Sequence, residues 1–120
     1  MRKRILVVEN DSEILNILSY ILVDEGYQVK SLCSLEGFIE LIHSYKPDAI
    51  LLDIIIPGVE GTEICKTIKS TETTKHIPLI VLSTHPTVAA SIKEICADEV
   101  ISKPFDITDL IQILGDQIAA

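Results

Sequence analysis

Tryptophan is absent from this 120-residue chain, and aromatic residues make up only 4% of it. With so few rings, a packed interior has to be built from aliphatic side chains. Apolar residues, at 48%, supply them, with Ile and Leu dominant. That content argues against intrinsic disorder, and the length suits one domain spanning 1–120. Cations are also scarce. Ten Lys and Arg against 18 Asp and Glu give a formal net charge of −8. Direct binding to DNA or RNA is not expected, because phosphate backbones need clustered Lys and Arg. The dense positive run Arg2-Lys3-Arg4 is expected to be a solvated chain end rather than a membrane anchor. The apolar stretch after it, Ile5 to Val8, is too short for the hydrophobic region of a signal peptide. No stretch is long enough to span a bilayer, so a cytoplasmic location is expected.

Cysteine is sparse. Cys33, Cys65 and Cys96 lie far apart, and an odd number without paired spacing predicts neither a disulfide framework nor a zinc knuckle. All three are expected to be buried small hydrophobes or idle thiols. Internal repeats, low-complexity tracts and linker-like stretches are absent as well.

What is there is an alternation of short apolar runs with segments of helical period. Arg4 to Val8 lacks polar alternation and reads as a strand buried on both faces. Asp11-Ser12-Glu13 supplies a cap candidate and first-turn acid for a helix that carries Ile14, Leu15, Ile17, Leu18, Ile21 and Leu22 and stops near Gly26. Tyr27 to Ser31 is a more polar strand of the edge type. Ser34 to Ser44 reads as a second helix, with Phe38, Leu41 and Ile42 inward. Ala49 to Leu52 is the most apolar strand, and Asp53 ends it. Pro57, Gly58 and Gly61 predict a loop. Helices then follow over Thr62–Ser70, Val88–Ile95 and Asp106–Ile118, and strands over Leu79–Leu82 and Glu99–Ser102. Strands alternating with helices imply βαβ units, right-handed crossovers and a parallel sheet covered on both faces. The fold class is α/β, a flavodoxin-like doubly wound (βα)5 with strand order 2-1-3-4-5.

In that architecture, sites form beyond the carboxyl ends of the strands. Strand 1 delivers Glu9, Asn10 and Asp11 there. Strand 3 delivers Asp53, strand 4 Ser83 and Thr84, and strand 5 Ser102 and Lys103. Carboxylates, an amide, hydroxyls and an ammonium together suit the holding of a divalent cation and an oxyanion side by side. Asp53 is the one charge in the apolar stretch Ala49 to Ile56. An unpartnered carboxylate there would be expensive, and a helix-cap role would need neither a second carboxylate nor a facing Lys. The sharper reading is a nucleophile that attacks a phosphoryl group and forms an acyl phosphate. Glu9 should lie on the neighbouring strand about 5 Å away. Two such charges repel by roughly 3–4 kcal/mol at an effective dielectric near 20. Mg²⁺ would relieve that repulsion, and Lys103 adds a point charge on the other side.

At these residues the chain resembles the response-regulator receiver family, almost from end to end, in the manner of chemotaxis regulators. Ile5-Leu-Val-Val-Glu9-Asn10-Asp11 resembles the family's first strand and acidic pair. Pro47-Asp-Ala-Ile-Leu-Leu-Asp53-Ile-Ile-Ile-Pro57-Gly-Val-Glu-Gly61 resembles the phosphoacceptor strand and loop. Ile77-Pro-Leu-Ile-Val-Leu-Ser83 resembles the strand that ends in a hydroxyl switch residue. Ala97-Asp-Glu-Val100-Ile-Ser-Lys103-Pro104-Phe105 resembles the closing strand. The resemblance implies a two-component phosphorelay module rather than an enzyme with an outside substrate. Asp53 would accept a phosphoryl group from a histidine kinase or phosphotransfer protein, with Ser83 and Lys103 assisting. Mg²⁺ would be held by Glu9, Asn10, Asp53 and the backbone carbonyl of Ile55. The Lys103–Pro104 bond would be cis. A surface built from helix 4, strand 5 and helix 5 would pass the signal to a downstream protein target or effector domain.

The chain departs from the family pattern in three places. Asn10 stands where a second Asp usually coordinates metal, which predicts weaker Mg²⁺ binding and slower phosphorylation. Val100 stands where Tyr or Phe usually swings inward. The Ser83-to-Lys103 segment is about two residues short, which predicts a tighter loop into helix 4, where His85 is read as a plain loop residue. His43 and His76 read as isolated. These departures motivate an alternative, a pseudo-receiver that acts as an interaction module without phosphorylation. A Mg²⁺-dependent phosphatase with an Asp nucleophile would need an acid–base Asp at the position of Ile55. A flavodoxin-type cofactor domain would want a phosphate-cradling loop where Glu9-Asn10-Asp11 stands.

Overall fold

The computed structural model describes residues 2–53, 59–84 and 86–119, with side chains for all of these except 59–61 and 86–89. Five strands alternate with five helices: β1 (Arg4–Val8), α1 (Ser12–Asp24), β2 (Gln28–Leu32), α2 (Phe38–Tyr45), β3 (Ala49–Asp53), α3 (Val59–Ser70), β4 (Leu79–Ser83), α4 (Pro86–Ile95), β5 (Glu99–Ser102) and α5 (Ile107–Ala119). The strands form one parallel sheet in the order β2-β1-β3-β4-β5.

Strand periodicity sorts the core onto the two faces of this sheet. Ile5, Val7, Ala49, Leu51, Ile80 and Leu82 point to one face and pack on Leu18 and Leu22 of α1 and Leu110 and Leu114 of α5. Leu6, Val8, Ile50, Leu52, Leu79 and Val81 point to the other and meet Phe38 and Ile42 of α2, Ile68 of α3 and Ile92 of α4. Full burial of each such Leu or Ile contributes about 1.5–3 kcal/mol. Phe38 is the one aromatic side chain among the buried hydrophobic residues, as the composition requires. The edge strand β2 has only exposed and half-buried positions, which explains its polar sequence.

Local chemistry sets the helix ends. The Asp11 carboxylate accepts hydrogen bonds from the backbone N–H groups of Glu13 (2.9 Å) and Ile14 (3.3 Å), so it caps α1. Gly26, with φ of 98°, follows that helix and supplies the left-handed turn into β2. Asp106 caps α5 by accepting from Thr108 and Asp109, so α5 starts at Ile107.

Three predicted boundaries shift. The helix expected from Ser34 begins at Phe38, because Gly37 adopts a left-handed φ of 73° and Ser34 Oγ instead accepts from the Glu36 N–H in a local turn. Gly61, expected in a loop, lies within α3. Helix α4 starts at Pro86, whose fixed φ and missing N–H suit a first helical turn.

Candidate functional site

All the side chains singled out at strand ends lie at the carboxyl edge of the sheet, and the register explains why. Asp53 is the last residue of β3. Glu9 follows β1, which pairs with β3 through Val8 and Leu52, and its N–H extends the ladder to the Leu32 carbonyl at 3.0 Å. Ser83 and Ser102 end β4 and β5 as register partners. The next N–H, from Lys103, donates to the Ser83 carbonyl at 2.8 Å. The Lys103–Pro104 peptide is cis.

Lys103 then draws the edge together. Its Nζ donates to Glu9 Oε1 at 2.9 Å, to Glu9 Oε2 at 3.0 Å and to Asp53 Oδ1 at 2.9 Å. The Glu9 side chain is 1% exposed, that of Asp53 9% and that of Lys103 12%. Two nearly buried carboxylates thus share one ammonium, and the trio keeps a negative charge. Burial pushes the Glu9 carboxyl above its ordinary value; Lys103 pulls it part of the way back, and Asp53 pushes with the burial. Burial works against the Lys103 ammonium, but Asp53 and Glu9 outweigh it and hold its pKa above the ordinary lysine value. Ser83 is fully buried beside this trio. No buried side-chain nitrogen or oxygen among the described residues lacks a hydrogen-bond partner.

The fold that carries this trio matches a known family. The family profile of the response regulator receiver domain covers residues 5–115. The chain belongs to the response-regulator receiver family. Solved receivers superpose closely on it. A putative response regulator from Chloroflexus aurantiacus has a TM-score of 0.91 at 25% identity, with all of both chains covered. The chemotaxis protein CheY4 of Vibrio cholerae has a TM-score of 0.84 at 24% identity, covering 97% of this chain and 98% of its own. The receiver domain of a sensor histidine kinase from Pseudomonas aeruginosa, crystallised with a magnesium ion in its active-site cleft, has a TM-score of 0.88 at 22% identity, with all of both chains covered. Receivers of this family are signalling modules of two-component systems.

The predicted residues separate into distinct groups. Glu9, Asp53 and Lys103 form the bonded trio, with Ser83 adjoining through the Lys103 backbone. Asn10 follows Glu9 and is exposed, as are Thr84 and Ser102. Asp11 is spent on the α1 cap. Ile55, Pro57, Gly58 and His85 lie outside the described residues. Val100 is half-buried and packs toward the face that carries α3 and α4. No helix among the described residues is long and apolar enough to cross a membrane.

The donors present suit Mg²⁺. It favours hard oxygens, binds through one or two carboxylates and keeps several waters. Glu9 and Asp53 converge on the Lys103 ammonium with surplus negative charge. Among the described residues no group of three or more His, Cys, Asp or Glu side chains could hold a metal.

Two features went unread in the sequence. His43 and His76, predicted to be isolated, line one cavity of about 440 Å³ beside Ile42, Pro47, Asp48 and Ile77, where β3 begins, remote from the trio. The cysteine expectation is also corrected. Cys65 and Cys96 form a disulfide, with Cα atoms 5.8 Å apart, and only Cys33 is free and exposed. Spacing along the chain could not signal this pair, because 31 residues separate its members. The topology could have. Cys65 lies three residues before the inward Ile68 on α3, and Cys96 directly follows α4, the neighbouring helix on the same face.

Proposed function

We propose that this receiver domain takes a phosphoryl group onto Asp53 from a cytoplasmic histidine kinase or phosphotransfer protein, and passes the signal to a downstream protein target or effector domain. The observation that carries this reading is the shared ammonium. Lys103 holds Asp53 and Glu9 together at the strand ends, in a nearly buried cluster.

The chemistry follows from the groups in place. An Asp53 carboxylate oxygen attacks the phosphorus, the bond to the donor's imidazole nitrogen breaks, and an acyl phosphate remains. Lys103 sits against Asp53 before transfer, so its charge stands where the phosphoryl oxygens arrive and needs little reorganisation. Ser83 ends the adjacent strand and brings a hydroxyl to the same edge. Mg²⁺, when bound, supplies positive charge that offsets those oxygens; Glu9, Asn10, Asp53 and the carbonyl of Ile55 are its proposed ligands. The exposed surface of α4, β5 and α5 is the proposed output face.

The neutral amide of Asn10 favours a second reading, a pseudo-receiver that binds partners without phosphorylation. Beryllofluoride, a phosphoryl mimic, separates the two when added with Mg²⁺ and followed by amide NMR. The phosphoaccepting reading expects shifts around Asp53 and Ser83. Unmoved resonances there would leave the pseudo-receiver.

A further inference from the structure

Helix α3 and the junction between α4 and β5 are joined twice. One turn along α3 from Cys65, Lys69 Nζ reaches Asp98 Oδ2 at 2.7 Å and the Ile77 carbonyl at 3.0 Å. Asp98 also accepts the Leu79 N–H at 2.8 Å and donates its own N–H to the Leu79 carbonyl at 2.9 Å. The junction is thereby pinned to β4 and α3 by hydrogen bonds that involve no sulfur. Beside this polar joint lies the disulfide. Its two ends differ: Cys65 is fully buried among the core residues of α3, whereas Cys96 is only partly buried.

We propose that Cys65 and Cys96 are a redox-modified site, a reversible thiol–disulfide pair whose oxidised form tethers the end of α4 to α3. Three points carry this. The Cα separation lies within the range a disulfide spans without backbone movement. The Lys69–Asp98 joint keeps the two residues facing each other when the sulfur bond is open, so closure is an intramolecular step. The asymmetric burial gives each thiol a role. Cys96, the accessible one, attacks a low-molecular-weight disulfide such as oxidised glutathione as its thiolate and expels one thiolate, forming a mixed disulfide. Cys65, its proton passing to the departing thiolate, then attacks the Cys96 sulfur and expels the second as a thiol. The dithiol and one external disulfide become the internal disulfide and two external thiols, so electrons balance. In a reducing compartment such a bond is transient rather than permanent, which fits a sensor better than a staple.

The tether meets α4, an element of the proposed output face, and in that respect the inference rests on the function proposed above. Oxidation would limit how far α4 can move when Asp53 is modified.

The test uses the full chain carrying Cys33→Ser, titrated across ratios of reduced to oxidised glutathione, quenched in acid and alkylated. Mass spectrometry should show a monomer passing between doubly alkylated and unalkylated forms, with a Cys65–Cys96 peptide after digestion and full return on adding dithiothreitol. Persistent glutathione on Cys96, thiols that stay alkylatable throughout, or a bond no glutathione ratio opens would each overturn the proposal. Hydrogen exchange without any phosphoryl mimic should show α4 amides slower in the oxidised form, by on the order of tenfold. Equal α4 exchange in both forms, or the same redox difference in Cys96→Ser, would overturn the tether. Neither arm depends on Asp53, so a failure of phosphorylation would leave these results standing and touch only the function proposed above.

Discussion

Lys103 and Glu9 lie 94 residues apart in the chain, yet the Lys103 ammonium donates to both Glu9 carboxylate oxygens, at 2.9 and 3.0 Å. The same ammonium reaches Asp53, so one cation holds two carboxylates that would otherwise repel across neighbouring strands.

That geometry sets the expected outcome of Lys103→Met. The substitution keeps the stem and removes the charge, leaving two nearly buried carboxylates together. Destabilisation of about 3 kcal/mol is expected near neutral pH, read as a lower urea midpoint with an unchanged slope. A loss below about 1 kcal/mol, the range of an exposed pair, would mean that the ion pair is not formed in solution.

Glu9 carries a pH dependence of definite sign. Its folded pKa is raised above the ordinary value of 4.5, mainly by burial. Its contribution to stability is therefore fully present below 4.5 and is lost as pH rises through the raised value. Glu9→Gln, which mimics the protonated form, should gain stability relative to wild type as pH climbs from about 4 toward neutrality. Urea midpoints of the two proteins at several pH values check this. A difference independent of pH would contradict it. Lys103 acts at the other end of the scale. Its pKa is raised above 10.5, so its contribution persists below that value and is lost as pH rises through the raised one.

Asn10 and Asp11 are adjacent but should behave differently. Asn10→Asp adds a carboxylate directly after Glu9 in the chain and should tighten Mg²⁺ binding by on the order of tenfold, measured by calorimetry. Asp11→Ala removes the α1 cap and should cost about 1 kcal/mol of stability while leaving Mg²⁺ affinity unchanged. A marked loss of metal affinity in Asp11→Ala would show that Asp11 serves the cation as well.

The Cys65–Cys96 bond closes a loop across a separation of 31 residues. Chain-entropy reasoning gives a stabilisation of roughly 3–4 kcal/mol for a loop of that size. Urea melts with and without a phosphine reductant should differ by about that amount, and Cys96→Ser should be insensitive to the reductant.

Much of the fold was legible because apolar runs and helical periods alternate without ambiguity, and a buried parallel sheet leaves no polar alternation in strands such as Ile50 to Leu52. The order of the strands came from fold-level likeness rather than from periodicity. The start of α2 was not legible, since the helical pattern runs back through Ser34 to Glu36 and only the left-handed Gly37 interrupts it. At the strand ends, Glu9, Asp53, Ser83 and Lys103 could be placed at one edge from topology alone. That Lys103 grips Glu9 as well as Asp53 could not, because the reach of a lysine side chain between two strands is a matter of packing. The cysteine pair stayed hidden for a similar reason. Residues on neighbouring helices meet through tertiary register, which one-dimensional spacing does not carry.

The central claim is that Asp53 accepts phosphate, and acetyl phosphate with Mg²⁺ tests it most directly. Intact mass spectrometry should show wild type gaining one phosphoryl group, lost on hydroxylamine treatment as an acyl phosphate must be, while Asp53→Asn gains none. Labelling of Asp53→Asn to the same extent as wild type, or no labelling of wild type at all, would contradict it.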